Sequence, residues 1–178
     1  MSKLLFRIDQ LNRRAGWLSA AAVLVITLLA VVTALARSAN SGSNALLELQ
    51  WYLFSLIFLL AAGWTLQQDQ HVRVDVLSKR WSARTRIWVD LVGHSLVLLP
   101  LAGVLMWLGL QHTIAQFISG EMSADAGGLL RWPVWALIPL GFMLLILQTL
   151  ADIARKIQQL RTTPAHTIAV IVEPANHD

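Results

Sequence analysis

Cysteine is absent from the 178-residue chain, which removes disulfides, thiolate metal sites and cysteine nucleophiles together. Charge is scarce as well. Only 13% of residues are Asp, Glu, Lys or Arg, about half the ~25% typical of a soluble domain. No glycine-rich phosphate loop, His-Glu-x-x-His or Gly-x-Ser-x-Gly pattern occurs, so nucleotide, zinc-peptidase and serine-hydrolase chemistry lack a signature. No internal repeat stands out, which argues against an inverted-repeat transporter core. What remains is 56% hydrophobic with a mean hydropathy of +0.60, the composition of a membrane protein. The net charge of +4 does not point to nucleic acid, because the basic residues gather at the ends of apolar runs, where they act as topology signals.

Four charge-poor windows predict an all-α integral membrane protein with four transmembrane helices. The windows lie between Arg14 and Arg37, between Glu48 and Asp69, from near Asp90 to about Ile118, and between Arg131 and Asp152. Spans over 15–36, 49–67, 90–117 and 132–151 each provide the roughly 17–25 residues needed to cross a bilayer. The third exceeds that length and is expected to tilt, kink at Pro100 or project beyond the membrane. Residues 1–162 form one membrane domain on this reading, and 163–178, with two prolines and mixed polarity, form a flexible tail.

The basic residues set the orientation. Lys3, Arg7, Arg13, Arg14, Arg73, Lys79, Arg80, Arg84, Arg86, Arg155, Lys156 and Arg161 fall on one side, and only Arg37 and Arg131 on the other. By the positive-inside rule both termini are cytoplasmic. Trp17, Trp51, Trp64, Trp81, Trp88, Trp132 and Trp135 fall near span ends, where amphipathic rings favour the headgroup zone; Trp107 lies deeper. Ala34-Leu-Ala36 resembles a signal-peptidase site, but the apolar stretch Gly16–Thr33 exceeds the usual 7–15 residue signal core. An uncleaved first helix is therefore expected. Before it, Leu4, Ile8, Leu11 and Ala15 share one helical face while Lys3, Arg7, Gln10 and Arg14 share another. That pattern suits an N-terminal amphipathic interfacial helix; a plain positive topology signal is the alternative.

The most informative stretch runs from Glu48 to Asp75. Glu48-Leu-Gln50-Trp51-Tyr-Leu-Phe54 opens the second span, and Asp69-Gln-His71-Val-Arg73-Val74-Asp75 follows it. The alternation at 71–76 would place His71, Arg73 and Asp75 on one face of an extended segment, and 78–88 suits a short interfacial helix. The combination resembles the small membrane subunit (DctQ-like, or Q subunit) of TRAP (tripartite ATP-independent periplasmic) transporters. The resemblance rests on Glu48, Gln50, Trp51, Phe54, Asp69, His71, Arg73, Val74 and Asp75. It implies a stable complex with a large polytopic subunit that holds the substrate and sodium sites, and transient contact with a periplasmic substrate-binding protein. It further implies sodium-coupled uptake of an organic acid across the bacterial inner membrane, with this chain as a non-enzymatic scaffold. Glu48, Gln50, Trp51, Phe54, Asp69, His71, Arg73 and Asp75 become candidates for the partner interface or for locking the fold. Trp17, Trp64, Trp81, Trp88, Trp132 and Trp135 become interfacial anchors.

Ionisable residues inside spans are functional hypotheses by default. Asp90 follows Arg86 by four residues, so a helical ion pair accounts for it. His94 and His112 share a helix face but lie about 27 Å apart, five turns of one helix. They cannot ligate one haem iron together, and no other span holds a histidine. A haem- or quinone-associated anchor of a respiratory oxidoreductase, the competing reading, is thereby weakened, and no cofactor is expected. Glu48 could cap its helix or contact a partner, and Ala61, Ala62 and Gly63 would permit close helix approach.

Overall fold

The computed structural model of the chain describes residues 2–39, 42–68, 83–124 and 128–162. All of its long elements are helices. Helix α1 spans Ser2–Ser38, α2 Asn44–Gln67 and α3 Ala83–Gly93. A single π turn, His94–Leu98, joins α3 to α4 (Leu99–Ser119), and α5 runs Trp132–Thr162. Four helical stretches are long and apolar enough to cross a membrane, with α3, the π turn and α4 counting as one.

Each helix overruns its predicted span. Helix α1 continues without a break through residues 3–15, so the basic N-terminal segment and the first span are one rod of 37 residues, about 55 Å at 1.5 Å per residue. Helix α2 starts at Asn44 behind an extended Ser43, five residues before the predicted start. Residues Asn44-Ala-Leu-Leu-Glu48 join it, and the segment after α4 binds Glu48, as described below.

Pro100, the expected site of disturbance in the third span, lies just past the π turn. It sits in the first turn of α4, where a missing N–H costs nothing. The strain its ring places on the preceding turn is absorbed by the π turn, in which Leu99 N–H reaches back five residues to the His94 carbonyl.

The helices are ordered α1, α2, α5, α4, each packed chiefly on its neighbours in that row. Helices α1 and α4 are outer members, and α1 meets α5 only over a smaller contact. The result is a slab with two broad faces. Its apolar core, Leu66, Ala102 and Leu145 with Ala62, Leu98, Phe142 and Ile146, sits where α2, α4 and α5 meet. Leu24, Leu28, Val32 and Leu35 of α1, and Leu101, Val104 and Leu108 of α4, remain exposed, as suits helices bathed in hydrocarbon.

Contacts between helices use small residues instead. A Cβ on Gly63 would collide with the Asn12 side chain, and one on Gly141 would lie 2.7 Å from the Leu59 carbonyl oxygen. Hydroxyls within the spans satisfy themselves on their own helices. Ser19 donates to the Ala15 carbonyl, Thr65 to Ala61, Thr113 to Gly109 and Thr149 to Leu145.

Candidate functional site

Both ends of the slab carry polar structure, and the two ends differ. At the end that holds Ser2 and Thr162, α1 turns Asp9, Asn12, Gly16 and Ser19 toward its neighbours, with Asp9 half-buried and the other three buried, while Leu4 and Leu11 stay exposed. Asn12 and Gln148 are each 0% exposed. Asn12 Nδ2 donates to Gln148 Oε1 at 2.9 Å and to the Ile8 carbonyl at 3.2 Å. Gln148 Nε2 donates onward to Asp9 Oδ1 at 3.1 Å, and Arg155 closes the chain through an ion pair with the same carboxylate. Membrane helices gain little from excluding lipid, so such interhelical hydrogen bonds supply specificity that apolar packing lacks.

Beside this network lies a second cluster. Lys156 Nζ donates to Asp90 Oδ2 at 2.7 Å and lies 3.3 Å from Asp152 Oδ2. His94 Nδ1 is 3.1 Å from the same Asp152 oxygen, out of line for a hydrogen bond. Helical spacing offers Asp90 a partner in Arg86; the structure adds a second cation from across the fold, Lys156 on α5. Sequence reasoning passed over Asp9, Asn12 and Gln148, and read Asp152, Arg155 and Lys156 only as a span boundary and as orientation charges. The available signal was an amide, Gln148, inside the apolar part of α5, together with charges at 152, 155 and 156 that continue one face of that helix.

At the opposite end, α4 stops at Gly120, which adopts φ 61°, and the chain turns back as a short hairpin. Arg131 N–H donates to the Glu121 carbonyl at 3.1 Å, and Ser123 N–H to the Leu129 carbonyl at 3.0 Å. Arg131 Nη1 pairs with Glu121 Oε1 at 2.9 Å. The hairpin is tied to α2. Glu48 Oε2 accepts from the Leu129 N–H at 2.7 Å, and Tyr52 OH donates to the Leu130 carbonyl at 2.9 Å. Glu48 therefore does not cap its helix. It lies a full turn beyond the first free N–H groups, and the hairpin supplies the donor. Gln50 donates to Thr33 Oγ1 at 2.9 Å, fastening α2 to α1. His112 stacks on Trp135 with ring centroids 4.6 Å apart, and Phe117 meets Trp132 edge-on at 5.4 Å.

Between α2 and α5, below the hairpin, runs an open groove of about 660 Å³. Trp51, Phe54, Phe58, Trp135 and Ile138 form its apolar walls, with Glu48, Ser123 and Arg131 also lining it. Trp51, Phe54 and Phe58 recur at helical spacing and are exposed. Of the residues that carried the resemblance, Glu48, Trp51 and Phe54 share this groove, and Gln50 faces α1 instead. Asp69, His71, Arg73, Val74 and Asp75 lie outside the described residues, as do Trp81, the extended segment expected at 71–76 and the tail from 163. Of the tryptophans, Trp17 and Trp88 are exposed, Trp132 and Trp135 are half-buried, and Trp64 lies against Gly16.

The arrangement offers sockets and ties. Among the described residues no group of three or more His, Asp or Glu side chains converges to hold a metal ion. His94 and His112 face different partners at opposite ends of the fold.

Residues 23–159, more than three-quarters of the chain, match the family described as tripartite ATP-independent periplasmic transporters, DctQ component. The chain belongs to that family. It is a multi-pass membrane protein of a transporter-component family, and the four apolar helices fit that assignment. Among curated proteins none matches the chain. The family match takes in the groove, the hairpin and the Lys156 cluster; of the Asp9–Asn12–Gln148–Arg155 network, the α1 members precede it.

Proposed function

We propose that this DctQ component is the small scaffold subunit of a sodium-coupled TRAP transporter that imports an organic acid delivered by a periplasmic binding protein. The family match carries the reading, because DctQ chains are one component of a tripartite machine. The slab supports it. A row of four helices with two broad faces, stiffened by polar ties at both ends, suits a static platform against which another subunit's transport domain moves. The groove gives that platform a feature to dock on, since the resemblance residues Glu48, Trp51 and Phe54 line it.

The charge distribution favours cytoplasmic termini, an orientation in which the hairpin lies on the periplasmic side of the inner membrane. Exposed Leu4, Phe6 and Leu11 beside Lys3, Arg7 and Arg14 then suit an N-terminal segment of α1 lying at the cytoplasmic headgroups. Arg73 and Asp75 maintain the cytoplasmic connection or its partner contact on this reading.

The test is to tag the chain, extract it gently from its native membrane, and identify what co-purifies while recording a visible spectrum. A stoichiometric, larger polytopic protein without haem absorbance is expected. A haem band with redox subunits, or the chain alone, would overturn the proposal. Arg73→Ala and Asp75→Ala should each lower uptake by weakening assembly, and unchanged complex yield and uptake in both would remove that part.

A further inference from the structure

Helix α4 is an end member of the row, and the side it turns away from the slab has no role in the scaffold reading. Its packed side is marked by two buried residues, Ala102 and Gly109. On the opposite side Pro100, Val104, Trp107, Gln111, Ile114 and Ile118 are all exposed. Their spacing alternates four and three residues, so they form a narrow stripe along most of the helix. Its aliphatic members suit a lipid-facing surface. Trp107 and Gln111 do not. Phe117 meets Trp132, which opens α5 beside Arg131 at the level that aromatic rings and charges occupy in a bilayer. Gln111 lies six residues deeper than Phe117 and Trp107 ten, about 9 and 15 Å at 1.5 Å per residue. In a hydrocarbon core about 30 Å thick, the amide is therefore submerged and the indole is near the midplane. Neither side chain has a hydrogen-bond partner among the described residues. Acyl chains offer no donor or acceptor, so both polar groups are costly there unless another helix pairs them.

The pattern says which helix. A four–three repeat is the seam of two helices that cross at about 20° and interlock their side chains. Copies of this chain obey the same charge rule and enter the membrane in one orientation. Two α4 helices therefore meet in parallel, about a two-fold axis along the membrane normal. In such a pair each seam residue faces its own counterpart. Gln111 then meets Gln111, and an amide is both donor and acceptor, so each copy supplies what the other lacks. One polar residue at a single seam position is also the device that fixes register in paired helices. The groove between α2 and α5 stays open to a larger subunit.

We propose that the 100–118 stripe of α4 is a self-association surface. Two copies of this chain pair through it, with their Gln111 amides hydrogen-bonded across the axis. The occupant is a second copy of this chain, so the inference stands or falls independently of which transport subunit it supports.

The lack of cysteine makes the test direct, because each introduced thiol is the chain's only one. Val104→Cys, Ile114→Cys and Ile118→Cys probe the stripe. Leu101→Cys and Leu110→Cys lie about a quarter-turn to either side of it, and Leu28→Cys sits on the exposed face of α1. Each full-length variant is oxidised in its native membrane with its partners in place. A disulfide needs Cα atoms within about 7 Å, so a product of twice the chain's mass should form at the three stripe positions and be several-fold weaker at the other three. In the chain without cysteine, Gln111→Leu leaves the packed side of α4 untouched. It should raise the dissociation constant between two differently tagged copies by roughly three- to thirtyfold, the range that interhelical hydrogen bonds span. Leu28→Ala should leave that constant unchanged. Equal cross-linking at all six positions, none at any, or a stripe product with a larger protein in place of the doubled chain overturns the proposal. Undiminished pairing of Gln111→Leu overturns the role of the amide.

Discussion

Replacing Gly63 with Ala tests whether the Asn12–Gln148 pair holds α1 and α5 together. The added methyl would occupy the space of the Asn12 amide and lie 3.3 Å from the Leu144 carbonyl oxygen. Asn12 is 0% exposed, so its side chain has no solvent to retreat into. Its Oδ1 already lacks a hydrogen-bond donor, and the 2.9 Å bond from Nδ2 to Gln148 is its one tie across helices. Moving it breaks that tie and strands the Gln148 oxygen, at about 1–3 kcal/mol for a buried unsatisfied polar group. Overpacking adds about 1–3 kcal/mol, and the better helix propensity of Ala returns about 0.5–1 kcal/mol. The net expectation is a loss of about 3 kcal/mol, or a fall of about 6–12 °C in Tm at 2–4 °C per kcal/mol for a chain of this size. Gly103→Ala is the matched control, since a Cβ there meets nothing within 4 Å. Reversible unfolding in mixed micelles provides the comparison. Equal stability of the two variants to within about 1 kcal/mol would refute the idea that this contact orders the slab.

Further outcomes follow from the same geometry. Glu48→Ala removes the acceptor for Leu129 N–H, so the hairpin amides of Ser123 and Arg131 should exchange several-fold faster while those of α4 and the α5 interior keep their protection. Lys156→Met leaves Asp90 and Asp152 without their shared cation and should cost about 3 kcal/mol, the low end for breaking a buried pair, given the partial exposure of both carboxylates. The double variant Lys156→Met/Asp90→Asn should recover part of that loss in the same unfolding assay; a strictly additive result would show that the two groups do not interact. Phe54→Ala in the groove should leave the melting of the isolated chain near that of the unmutated protein, because the ring is exposed, while lowering the yield of any complex that docks there.

Hydropathy and charge made the four spans legible, because each apolar run is long enough to cross a bilayer and is bounded by basic or acidic residues. Glu48, Trp51 and Phe54 were legible as a set for a different reason, their resemblance to a known pattern. What they do locally was not. Glu48 binds a backbone N–H 81 residues away, a pairing decided by how the hairpin folds back and invisible to any local period. Gln148 was overlooked because it is a single polar residue in an apolar run that a window average dilutes, and Asn12 because it sits among the charged residues of the N-terminal segment. Their meaning depends on α1 and α5 being close in space although 136 positions apart in sequence. The π turn was half legible. Pro100 predicts a disturbance in the third span, but its form, a π turn over His94–Leu98, depends on hydrogen bonding that sequence does not display.

The row order explains why polar ties gather at both ends. In a closed bundle every helix has two neighbours and the middle of each span contributes to a shared core. Here α1 and α4 each lean on one side of the row and leave their outer surfaces exposed, so polar ties at their ends add to a one-sided apolar contact along the middle. Fastening a rod at both ends is the economical alternative. Helix α1 is tied to α5 by Asn12 and Asp9 at one end and to α2 through Thr33 and Gln50 at the other. The third span is tied by Asp90 to Lys156 at one end and by His112 stacked on Trp135 at the other. Each pair of ties lies several turns apart along its helix, so a small error at either would swing the whole rod. That lever arm is why the polar contacts, and not the exposed Leu and Val rows, set the shape of the slab.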